Sequence, residues 1–152
     1  MFTSKLSKPF AFFAGLVLII AFAASPSLGE DMTMSPHKII LNAQGQFDNV
    51  QAVIRMPMMP GYSLSNYQVF LSFDGIMVSE AYEFRYCYID DNFLASFDRT
   101  AIQANQDVIG MAGRIVSAEV SGWFEAVDSY GNSYRKDFSY FDDVEILDPG
   151  MK

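Results

Sequence analysis

From residue 116 to residue 126 every second side chain is apolar or absent: Val116, Ala118, Val120, Gly122, Phe124 and Ala126. Between them stand Ser117, Glu119, Ser121, Trp123 and Glu125, a mostly polar set. A period of two with one apolar side is the pattern of a half-buried antiparallel strand. It recurs in Tyr67, Val69, Leu71 and Phe73, in Tyr82, Phe84, Tyr86 and Tyr88, and in Tyr134, Lys136, Phe138 and Tyr140. Apolar runs over 38–43, 50–56, 93–97 and 144–147 read as further strands.

The gaps between these runs carry turn chemistry. Asp74-Gly75 joins two apolar stretches directly, and a two-residue Asp-Gly link favours the positive backbone angles of a tight hairpin. Pro57, Pro60 and Gly61 take the chain out of any sheet, because proline cannot donate to a strand ladder. Asp90-Asp91-Asn92 and the segment from Asp128 to Ser133 are turn clusters. Residues 98–104 fit a single helical turn with Asp98 as its cap. Seven or eight short strands with frequent turns and no long amphipathic helix predict an all-β, antiparallel two-sheet sandwich of immunoglobulin-like outline, with a small barrel as the alternative. The Cys–Trp–Cys arrangement of antibody domains is not present.

The first thirty residues follow another rule. Lys5 and Lys8 precede an unbroken apolar run from Phe10 to Ala24, and the small residues Ser27 and Gly29 precede the acidic pair Glu30-Asp31. This is the layout of a secretory signal peptide: a basic start, a helix-forming apolar middle and small residues at the end. Fifteen apolar residues are short for a bilayer span, which needs roughly 20. The expected organisation is a signal peptide over 1–29, a flexible leader over 30–37, the β domain over 38–148 and a tail over 149–152. A second cut before Ala24 also fits. The product is expected to be secreted or periplasmic, with no stable membrane anchor after cleavage.

The composition narrows the partners. The whole chain has a formal charge of −8; without Lys5 and Lys8, eight basic residues face eighteen acids, a charge of −10. Such a surface repels phosphate backbones, which excludes nucleic acid as the expected partner. The single cysteine, Cys87, has no internal partner for a disulfide and sits mid-strand, the usual place of an inert thiol. The single histidine, His37, lies in or next to the leader. Triad chemistry needs a histidine beside the nucleophile, so no catalytic residues are assigned and a non-enzyme is expected.

Three kinds of binding chemistry remain. Met32, Met34, His37, Met56, Met58 and Met59 gather soft thioether and imidazole ligands suited to Cu(I). Met56 to Gly61 has a passing similarity to Met-rich loops of periplasmic copper carriers. The acidic loops at Asp90-Asp91, Asp128 and Asp142-Asp143 with Glu145 offer hard oxygens for a structural Ca²⁺. Trp123, on an otherwise polar face, and the ladder Tyr82, Tyr86 and Tyr88 offer aromatic surface to a protein or glycan partner. The expectation is an exported, non-catalytic binding or interaction module. The alternatives are a metal-binding protein, through the Met/His segments or the acidic loops, and a small carbohydrate-binding domain.

Overall fold

A computed structural model describes residues 32–40 and 49–148. The signal-peptide segment and the 149–152 tail lie outside the described residues. The chain is all-β, a mostly antiparallel eight-stranded sheet nearly closed into a barrel. The strands are β1 (Met32–Ser35), β2 (Lys38–Ile40), β3 (Val50–Arg55), β4 (Tyr62–Phe73), β5 (Ile76–Cys87), β6 (Asn92–Phe97), β7 (Arg114–Asp128) and β8 (Ser133–Leu147). Between β6 and β7 lie two short helices, α1 (Arg99–Ala104) and α2 (Gln106–Ile109). The strand order across the sheet is β1-β3-β6-β5-β4-β7-β8-β2. Among the described residues no helix is long and apolar enough to cross a membrane.

The two ends of that order belong to one stretch of chain. β1 pairs antiparallel with β3, and β2, two residues further on, pairs parallel with β8. The Ser35–Pro36 peptide between them is cis. The Met34 N–H donates to Asp142 Oδ2 of β8 (2.8 Å), and the Glu145 N–H donates to the His37 carbonyl (2.8 Å). This single segment therefore draws both sheet edges together. Within the expected leader, Met32–Ser35 form a strand, because Met32 and Met34 alternate with Thr33 and Ser35 and bury their side chains.

β5 divides its length between two neighbours. Ile76 to Glu80 pair with β4, and Ala81 to Cys87 pair with β6, with register shifts that leave Val78 and Tyr82 as extra residues. The hairpin at Asp74-Gly75 forms as expected, with φ of 47° and 81°. The Asp74 carboxylate also accepts from the Ser117 N–H of β7 (2.9 Å). Asp98 caps α1 by accepting from the Thr100 N–H (2.8 Å), again as the sequence predicts. Ile102, Val108 and Met111 from the helical segment join the core.

The strands are not all short. β4 and β5 have twelve residues each, and β7 and β8 fifteen. β4 begins at Tyr62 rather than Tyr67, because a register shift at Ser65 moves the inward set from Tyr62 and Leu64 to Tyr67 and Val69. The expected break in β8 at Asp142 is absent. Asp142 keeps the same phase as Phe138, Val144 and Ile146, and its carboxylate is occupied by the Met34 N–H. The interior holds Val116, Ala118, Val120, Phe124 and Ala126 of β7 together with Phe73, Phe84, Phe93 and Phe97.

Candidate functional site

Three connections meet at one end of the fold: the β3–β4 loop (56–61), the β5–β6 turn (88–91) and the β7–β8 turn (129–132). Backbone and tyrosine hydrogen bonds lace them. The Met56 N–H donates to the Asp91 carbonyl (3.1 Å), the Met58 N–H to Tyr86 Oη (3.3 Å) and the Met59 N–H to Tyr134 Oη (3.3 Å). The Tyr86 hydroxyl donates in turn to the Asp91 carboxylate. Tyr62 packs edge-on against Tyr134 at 5.0 Å, and Tyr88 edge-on against Tyr86 at 4.9 Å. The β7–β8 turn is held by Asp128, which accepts from the N–H groups of Tyr130 (2.9 Å) and Asn132 (2.8 Å) and from the Asn132 amide. Those contacts, the Asn132 side chain first, hold the Asp128 carboxyl below its ordinary pKa.

The tips of these laced loops are apolar. Ile89 is 91% exposed, Tyr130 90%, Tyr88 68% and Met59 50%. Loops positioned by a rigid scaffold are where binding residues concentrate.

The structure splits the expected copper set. Met32, Met34, Met56 and Met58 are buried in the core, while Met59 and His37 are exposed. Met59 is tied to Tyr134 and His37 to Glu145, eleven residues apart on β8, or about 36 Å of strand. His37 Nδ1 lies 3.7 Å from Asp142 Oδ2. Among the described residues no three or more His, Cys, Asp or Glu side chains gather where they could hold a metal ion.

The tyrosine ladder is divided as well. The extra residue at Tyr82 turns that ring out to solvent, Phe84 is buried, Tyr86 is half-buried and Tyr88 stands beyond the strand end. Trp123 is half-buried on the outer face of β7, with the Arg135 guanidinium 4.2 Å from its ring centroid. Arg135 is held there by Asp137 (3.1 Å), so one face of the indole is covered.

Of the sequence candidates, the loop end brings together Met56, Met58, Met59, Tyr86 and Tyr88. Asp91, expected as a hard oxygen ligand, stands here as the acceptor of the Tyr86 hydroxyl; Ile89, Tyr130 and Tyr134 were missed. Ile89 and Tyr130 carried a legible signal, because a large apolar residue inside a turn cluster has no strand phase to bury it.

Tyr86 is the keystone of the lacing, and its partial burial, then the Asp91 carboxylate, raises its phenol above the ordinary value of 10.0. A raised folded pKa means that the stability from this group is complete below pH 10.0 and is lost as pH rises through the folded pKa. Tyr86→Phe is expected to cost about 1 kcal/mol at neutral pH, one hydrogen-bonded hydroxyl. It is also expected to flatten the alkaline fall in stability, as read from urea denaturation between neutral and alkaline pH. An alkaline limb identical to that of the parent chain would contradict this assignment.

No protein-family model, curated protein or solved structure matches this chain.

Proposed function

We propose that this chain is an exported, non-catalytic binding module that grips a protein partner with its three-loop end. The observation that carries the reading is the convergence of Met59, Tyr88, Ile89 and Tyr130, all exposed, on loops fixed from beneath by Tyr86 and Tyr134. Rigid aromatic and aliphatic anchors bind at low entropic cost, because little order remains to be imposed. Export is supported by the basic start and apolar run of residues 1–29. The non-catalytic reading is supported by the placement of His37 and Cys87, whose polar neighbours are carboxylates, Asp142 and Asp90, rather than each other.

The finer architecture belongs to this proposal too. β5 changes partner at mid-length, and the β1–β2 segment changes edge at Pro36. Both features support two facing layers, β1-β3-β6-β5 and β5-β4-β7-β8-β2, in an immunoglobulin-like outline. The three loops then form one end of a sandwich, a position well suited to recognition.

The test is retention of an envelope protein from the source organism by the immobilised chain, compared with a Tyr88→Ser/Ile89→Ser/Tyr130→Ser variant. The variant is expected to lose about tenfold or more in affinity, since central aromatic anchors dominate interfaces. It should stay folded, losing no more stability than the Tyr88–Tyr86 ring contact supplies, about 0.5–1.5 kcal/mol. Equal retention by the two chains would remove the loop end from the reading, and Trp123→Ala would then test the covered indole face against glycans.

A further inference from the structure

Strand β4 uses one side along its whole length and the other only in part. β7 pairs with it from Tyr62 to Phe73, but β5 pairs only with Phe70 to Phe73 before it leaves for β6. From Tyr62 to Val69 the second side has no strand partner among the described residues. The main-chain N–H and C=O groups along such an edge are a template for another strand. Proteins blunt these edges with charge, proline or brevity, and the other edges here follow that rule. Beyond the stretch that β2 covers, β8 carries Arg135, Lys136, Asp137 and Asp143, and the Asp143 N–H is taken by the Asp142 carboxylate (2.9 Å). Where β5 pairs with β6, it carries Glu83 and Arg85. β1 is four residues long, and its Met34 N–H is taken by Asp142. The β4 stretch from Tyr62 to Val69 has neither a charge nor a proline, and its one irregularity is the extra residue at Ser65.

We infer that a second copy of this chain docks on that edge, β4 against β4, antiparallel about a two-fold axis. The extra residue favours this occupant. Inward-facing positions are Tyr62 and Leu64 before Ser65, and Tyr67 and Val69 after it. A regular strand leaves Ser65 unpaired, as β7 does, whereas a second β4 brings an extra residue of its own to the same place. One antiparallel register then matches throughout. It sets Tyr62 against Val69 of the second copy, Leu64 against Tyr67, Ser63 against Gln68 and Ser65 against Asn66. Residues directly opposite in a strand pair share a face, so inward meets inward and outward meets outward. A slip by one residue would lose this match. No like charges meet across the pairing, which matters between two chains of formal charge −8. The pairing uses the open stretch of both copies and ends where β5 takes the edge at Phe70. A contact that uses the same patch on both copies closes on itself, the commonest assembly of identical chains. Because the strands run antiparallel, the two three-loop ends point in opposite directions, and the inference does not depend on what those loops bind.

Sedimentation equilibrium of the purified chain reads the association directly, and a dimer is expected at micromolar concentration. Amide exchange should slow with rising chain concentration from Ser63 to Gln68 and stay constant along β8. Ser63→Lys/Gln68→Lys puts like charges directly opposite each other twice in the dimer, and is expected to raise its dissociation constant about tenfold. Ser63→Lys/Gln68→Glu puts opposite charges in the same places and should dimerise at least as tightly as the parent chain. All of these side chains are exposed, and urea denaturation checks that each variant folds. Ser63→Asp/Gln68→Asp repeats the like-charge test if the lysine variant does not fold. A chain that stays monomeric up to millimolar concentration overturns the inference. So does a dimer that the two charge patterns weaken equally, or that neither weakens, because its interface then lies elsewhere.

Discussion

Replacing Gly122 by alanine is expected to leave the chain unfolded, or destabilised by at least about 4 kcal/mol, in the range reserved for structural clashes. Gly122 lies mid-way along β7, between Val69 of β4 and Phe138 of β8. A Cβ built there would stand 2.0 Å from the Gln68 carbonyl oxygen and 2.9 Å from the Val69 Cα. Both obstacles are backbone, so no side chain can rotate away. Relief requires β4 to separate from β7, along a pairing that runs from Tyr62↔Asp128 to Phe73↔Ala118. The φ of +152° adds a conformation that side-chain-bearing residues rarely adopt. Gly75→Ala is the control: its φ is +81°, and nothing lies within 4 Å of the added carbon. That variant carries conformational strain alone, about 1–2 kcal/mol. Urea denaturation of the two proteins separates the effects, and equal stabilities would show that the close approach at Gly122 is not what the geometry implies.

Gly122 also shows what the sequence made legible and what it did not. Its place in the alternating set of β7 was readable, because every even position from 116 to 126 belongs to one face. The reason for a glycine there was not, since it depends on a carbonyl of β4 some fifty positions away. The same division holds elsewhere. The Asp74-Gly75 hairpin and the Asp98 cap are local, and both were read correctly. Register shifts at Ser65 and Tyr82 were hidden, because one extra residue inverts the phase and makes a single strand resemble a loop or a false ladder. Asp142 concealed the continuity of β8, as an acid in an inward phase makes sense only once the Met34 N–H is beside it. The candidate site was half legible. Residue type singled out Met56, Met58, Met59, Tyr86 and Tyr88, but only the fold brings the β3–β4 loop and the end of β5 together.

Phe93→Ala is expected to remove about 3–5 kcal/mol, the cost of deleting a fully buried aromatic ring from a packed core. Phe93 is fully buried on β6, between Ile54 of β3 and Tyr86 of β5. Its ring stacks on Phe84 at 4.8 Å with an 11° tilt, and meets Phe124 and Tyr86 at 4.8 Å each. Three rings lose a neighbour together, and backbone pairing on both sides of β6 limits collapse into the void. Phe93→Leu, which keeps most of the volume, should cost less than about 2 kcal/mol. The loss is expected to reach the loop end as well, because Tyr86 rests on Phe93 and anchors both Met58 and Asp91. With the ring removed, water reaches the phenol, and the burial that raises the Tyr86 pKa weakens. The Tyr86 titration, followed by carbon NMR of labelled tyrosine in the folded variant, should therefore shift back toward 10.0. An unchanged titration in a destabilised Phe93→Ala protein would mean that core packing and loop geometry are independent. The lacing above β6 would then hold the apolar tips in place without support from the ring beneath.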